Sequence, residues 1–156
     1  MQTNNQYRMQ TGQQLSVKQQ SIVTISAFTA QGNIAQLQQA LNQGLDAGLS
    51  INEIKEIRAA LCLYRIPRSL NALQRFVDVL KERKQQGINE PVGKEPSPLP
   101  TDKSIGRDNL DWKTREIVTI SALAALGGVE SQLCAHFGIG MHNGLTKRAC
   151  GHFSSL

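Results

Sequence analysis

Apolar positions along the chain recur every three to four residues and nothing alternates with period two, so the expected fold class is all-α. From Leu15 to Gln31 the stripe is Ile22, Val23, Ser26, Ala27 and Ala30, and Gly32 stops the run. A second helix follows on Ile34, Leu37, Leu41 and Leu45, with Gly48 where a left-handed C-cap residue is wanted. Ser50-Ile-Asn-Glu53 has the form of a capping box, a hydroxyl for the free N–H groups answered by a carboxylate at the third helical position. The helix it opens carries Ile51, Ile54, Arg58 and Leu61 on one face and is expected to reach about Tyr64. Pro67 suits the first turn of a fourth helix. Its apolar face is expected to be Leu70, Leu73, Phe76, Val77 and Leu80, and it ends in the basic turn Lys81-Glu-Arg-Lys84, where the backbone dipole favours positive charge.

Gly87 to Asn109 holds Pro91, Gly93, Pro96, Pro98, Pro100 and Gly106 and reads as an extended linker. Beyond it the first pattern starts again. A shift of 95 residues lays Leu15 on Leu110 and Lys18 on Lys113, and makes Ile22-Val-Thr-Ile-Ser-Ala27 identical to Ile117-Val-Thr-Ile-Ser-Ala122. After one inserted residue near Gly127 and Gly128 the shift becomes 96: Gln36-Leu37 falls on Gln132-Leu133, Gly44 on Gly140, and Gly48-Leu49-Ser50 on Gly144-Leu145-Thr146. An identical run at the same place in two helical hairpins marks a tandem duplication. The expected organisation is a loose Gln/Asn/Thr-rich arm (1–14), a first repeat (15–86), the linker (87–109) and a second repeat (110–156). The second repeat ends early. Residues 147–156 lack an amphipathic pattern and the Glu that would complete a capping box, so the apolar faces of this half are expected to need the first half or another subunit.

Composition changes this picture little. The 156 residues suffice for one domain or two small halves sharing a core. Aromatics are only 4%, so the core has to be aliphatic. A net charge of +5 raises the question of a polyanion partner, but the basic residues are scattered and no aromatics interleave with them, so nucleic acid is not expected. No run reaches the ~18 apolar residues of a membrane span. The polar N-terminus lacks the apolar core of a signal peptide, and the expected location is the cytoplasm. Cys62, Cys134 and Cys150 are three and far apart, against a disulfide framework or a zinc site.

Chemistry centres on His136, which aligns with Ala40 of the first hairpin and so distinguishes the halves. On a helix its same-face neighbours are Val129, Gln132, Leu133, Ile139 and Gly140. A lone His on such a face is either a structural imidazole with one hydrogen bond or an acid/base group. Glu116 likewise has two readings: a first-turn acid favouring the helix N-terminus, or a carboxylate turned toward His136 from the paired helix. Glu130 lies off the His136 face. Cys62 and Cys134 read as small buried hydrophobes rather than nucleophiles. No metal-ligand pair, P-loop or dinucleotide fingerprint occurs, and neither a metal nor a cofactor is expected.

Three stretches, Glu116-Ile-Val-Thr-Ile-Ser-Ala122, Gly127-Gly-Val-Glu-Ser-Gln-Leu-Cys-Ala-His136 and Gly140-Met-His-Asn-Gly-Leu-Thr146, resemble the carboxymuconolactone decarboxylase family, which includes the alkyl hydroperoxidase D-like proteins. The first half is similar through Gln43-Gly-Leu-Asp-Ala-Gly-Leu-Ser50-Ile-Asn-Glu-Ile54 and Tyr64-Arg-Ile-Pro-Arg-Ser-Leu-Asn-Ala-Leu73. The resemblance implies an alkyl hydroperoxidase D-like helical fold, oligomeric, with a two-repeat chain forming a homotrimer that imitates a hexamer. It implies a lyase acting on a small carboxylated lactone-type molecule, with His136, Glu116 and Glu130 as catalytic candidates and Arg68, Arg115 and Gln132 as substrate-binding ones. The family's second chemistry, thiol-dependent peroxide reduction of peroxiredoxin type, uses cysteines seven and four residues before the His. Those positions are Val129 and Gln132 here, which disfavours it. A non-catalytic oligomeric scaffold is the third reading.

Overall fold

Two helices that carry the same six-residue run form the centre of the protein: α1 (Val17–Gln31) and α5 (Trp112–Leu126) make the most extensive contact between any two elements. The computed structural model describes residues 14–63, 68–95 and 109–156. Around the central pair lie α2 (Ile34–Asp46), α3 (Ile51–Leu63), α4 (Ser69–Gln85), α6 (Glu130–His142) and α7 (Lys147–Gly151), the last running into a 3₁₀ turn, His152–Ser155. The described residues are all helix and connecting loop, with no strand, as the periodicity led us to expect. None of these helices is long and apolar enough to cross a membrane. The expected arm up to residue 13, the neighbourhood of Tyr64 and Pro67, and linker residues 96–108 fall outside the described residues.

The central position of α1 and α5 explains why neither behaves as a one-faced helix. Beyond the expected stripe, α1 also buries Ser21, Ile25 and Thr29, because α2, α3, α4 and α5 all pack on it. In α5 the whole run from Glu116 to Ala122 is buried. Helices enclosed in this way lose the polar face that periodicity looks for. Close approach of α2 and α6 to the pair depends on glycine. A Cβ on Gly44 would stand 2.9 Å from both Ile25 and Leu49, and one on Gly140 would stand 2.6 Å from Leu145 and 3.2 Å from Ile120. The turns that follow are also alike, with Leu49 N–H donating to Gly44 O and Leu145 N–H to Gly140 O, each at 2.9 Å.

The capping box at Ser50 forms as expected: Glu53 N–H donates to Ser50 Oγ at 3.2 Å, and Ser50 N–H donates to the Glu53 carboxylate at 2.8 Å. In α3 the buried face is Asn52, Ile54, Glu56, Ile57 and Leu61, so Ile51 and Arg58 lie at its edge rather than within it. The expected face of α4 needs correction. Leu70 is 68% exposed, and the buried positions are Ala72, Phe76, Val79 and Arg83. Arg83 enters that stripe because its guanidinium is fully engaged, donating to Asp46 at 2.7 Å, to Asn42 at 3.2 Å and to Glu90 at 2.5 Å. Burial alone pushes a guanidinium toward losing its proton, but the hydrogen bonds and charges of Asp46 and Glu90 outweigh it and hold Arg83 above its ordinary value.

Two expectations about the second part of the chain also change. The first residues of the linker are fastened down: Ile51 and Asn52 N–H donate to Pro91 O and Val92 O at 3.0 and 2.9 Å. The Asn52 side-chain amide donates to Lys94 O at 2.9 Å. The linker thus supplies carbonyl acceptors for first-turn N–H groups that a helix cannot satisfy itself. The tail folds as well. Thr146 caps α7 by accepting from Ala149 N–H at 3.1 Å, and Ala149 and Phe153 are buried. The Phe153 ring meets Phe137 edge-on at 5.9 Å. Its apolar residues were invisible as a pattern because the helix has barely one turn before it tightens.

Candidate functional site

The site begins with the turn Gly127–Val129, which folds α6 back along α5. That return lays the middle of α6 across the start of α5, and His136 Nδ1 comes 2.8 Å from Glu116 Oε2. The Glu116 side chain is 10% exposed and that of His136 19%, so the pair is mostly shielded yet reached from one side. An ionised carboxylate only accepts hydrogen bonds, so Nδ1 carries the proton and donates it. In the neutral imidazole Nε2 is then the ring nitrogen that carries no proton. Of the two readings of Glu116 in the sequence, the geometry is that of a carboxylate turned toward the histidine.

The other candidates do not gather around this pair. Glu130 and Gln132 are exposed in the first turn of α6, and Gln132 accepts from the Ser131 hydroxyl at 2.9 Å. Arg68 lies across the C-terminal end of α1, donating to Ala30 O at 3.2 Å and also to Gln31 O. Arg115 binds Glu56 at 2.6 Å, donates through Nε to Leu110 O at 3.0 Å and packs on the Trp112 ring at 5.6 Å. Both guanidiniums expected to meet a substrate are therefore engaged by the chain itself. Cys62 and Cys134 are exposed, not buried as small hydrophobes, and Cys150 is half-buried with its thiol pushed up by burial. Among the described residues no three His, Cys, Asp or Glu side chains come together as a metal site requires.

Glu56 was missed. It is 3% exposed and accepts from Asn109 N–H at 3.0 Å and Leu110 N–H at 3.4 Å as well as from Arg115. The only sequence signal was its position four residues after Asn52, on a face that otherwise turns apolar. No family model and no curated protein sequence matches the chain.

Proposed function

We propose that the protein is a carboxymuconolactone decarboxylase-like lyase in which His136 moves a proton and Glu116 holds it for that task. The observation that carries the reading is the 2.8 Å bond between Nδ1 and the buried carboxylate, which orients the ring and favours the proton on Nδ1. When a carboxylated lactone loses CO₂, the carbon–carboxyl bond breaks and its electron pair stays on the substrate. The carbon left behind takes up one proton, and a protonated imidazole delivers it. Glu116 stabilises the imidazolium before delivery and keeps the ring aimed throughout, the part a carboxylate plays beside any catalytic histidine.

The matched turns and matched glycine contacts at Gly44 and Gly140 support a two-repeat alkyl hydroperoxidase D-like chain. Ile139 and Met141 of α6 are 44% and 46% exposed, which fits burial against further subunits in a cytoplasmic homotrimer. A dithiol peroxidase finds no support, since Val129 and Gln132 stand at the positions its cysteines need.

The test is release of CO₂ from a carboxylated muconolactone. His136→Ala is expected to lower turnover about 10²- to 10⁴-fold, and Glu116→Gln to lower it less while leaving the fold intact. Unchanged turnover in His136→Ala would overturn the reading.

A further inference from the structure

The first four helices close around a small void that has a guanidinium in its wall. Ile25, Leu41 and Phe76 give it apolar sides from α1, α2 and α4, and Thr29 supplies its only hydroxyl. From α3 come Lys55 and Arg58, one turn apart on the same side of the helix. The cavity measures about 20 Å³. A single water needs ~10–15 Å³, so the space holds one body of about that size and little more.

Arg58 is half-buried, and its donors are poorly used. Nη1 reaches Cys62 Sγ at 3.7 Å, a weak acceptor, while Nε is fully enclosed and has no hydrogen-bond partner among the described residues. Among those residues neither Arg58 nor Lys55 makes an ion pair. The acids of α3 are committed elsewhere, Glu53 to Lys18 and Glu56 to Arg115, and on α4 Asp78 and Glu82 accept from Gln74 and Gln38. A guanidinium in a protein does not give up its proton, so the charge of Arg58 persists. Enclosure without counter-charge is costly, and a buried donor with no acceptor calls for a water or an ion. A water fits the space, but it needs two or more polar partners and brings no charge. A monatomic anion accepts from any direction, tolerates apolar walls and meets both deficits.

We infer that this cavity binds one small monovalent anion of halide size, taken by Arg58 with the exposed Lys55 supplying the second positive charge. The ion sits where α3 faces α1, α2 and α4, so it holds the first repeat together as well as neutralising it. The inference draws nothing from Glu116 or His136 and is independent of the reaction proposed for them.

The line width of the chloride NMR signal, measured on the full chain, tests it. Excess broadening that saturates with a Kd on the order of 10 mM and is displaced by bromide is expected. The melting temperature should rise saturably with sodium chloride and not with sodium gluconate at equal ionic strength, because gluconate is too large for the cavity. Arg58→Met keeps the apolar stem and removes the charge and Nε, and should weaken chloride at least about tenfold. Lys55→Gln, a change at an exposed position outside the core, should weaken it about threefold. Excess broadening absent from the folded wild-type chain, or undiminished in either variant, would overturn the assignment. So would a melting temperature that gluconate raises as much as chloride does, since that is ionic screening alone.

Discussion

The carboxylate of Glu116 and the imidazole of His136 meet at 2.8 Å, and through them the buried start of α5 is tied to the middle of α6. A hydrogen bond to a charged partner contributes roughly 1.5–3 kcal/mol, and leaving either member unpaired costs its desolvation as well. A double-mutant cycle on Glu116→Ala and His136→Ala, followed by urea unfolding, should give a coupling of about 1–2 kcal/mol. A coupling near zero would mean that the two groups do not hold each other in solution.

Glu56 and Arg115 should be more sensitive. Their ion pair is 2.6 Å long with side-chain exposures of 4% and 16%, and Glu56 also serves the backbone of Asn109 and Leu110. Removing one partner of a buried pair leaves an uncompensated charge and typically costs about 3–5 kcal/mol. Glu56→Ala and Arg115→Ala should each fall in that range, and the double variant should be less destabilised than the sum of the two. Additive losses would refute the pairing.

The twin runs offer a comparison in which one residue type changes sign. Ser121 Oγ donates to Ile117 O at 2.5 Å, while the buried hydroxyl of Ser26 has no hydrogen-bond partner among the described residues. Ser121→Ala should cost about 1 kcal/mol, whereas Ser26→Ala should be neutral or stabilising, because it removes a desolvated group that has no compensation. Thermal melts of the two single variants decide this directly.

Asp111 sets an acid limit on α5. Its carboxylate caps the helix, accepting from Thr114 N–H at 2.7 Å. Burial pushes its pKa up, but the hydrogen bonds of Thr114 and the charges of Lys113 and Arg115 outweigh that and hold it below the usual carboxylate value. A carboxyl depressed in the folded state stabilises fully above its unfolded pKa, near 4, and the contribution disappears as pH falls through the folded value. Asp111→Ala should therefore cost about 1 kcal/mol at pH 7 and progressively less below about pH 4. A pH-independent difference would contradict the charged cap.

These residues also mark where the sequence could be read. Helix starts and stops were legible because their chemistry is local: Ser50 and Glu53 cap within one turn, and Gly48 takes the left-handed φ of 92° expected after α2. The contact of Glu116 with His136 was visible as one of two options, since 20 residues and one tight turn separate them. Glu56 was not, because its partners lie 53 to 59 positions away and nothing near it announces them. The face of α4 was misjudged for a related reason. Arg83 looks like a solvated charge until Asp46 and Glu90 are brought to it, and the stripe then rotates away from Leu70.

The central packing of α1 on α5 also bears on how the chain reaches its native state. Its largest helix–helix contact joins segments from opposite parts of the sequence, so the core cannot close until a long loop has closed first. Helical proteins ordinarily fold fast because their contacts are local. Here each hairpin can form early, but neither has its full apolar surface covered until the other arrives. Refolding should therefore be slower than the helix content alone suggests, and it should speed up when the connection between α4 and α5 is shortened without strain.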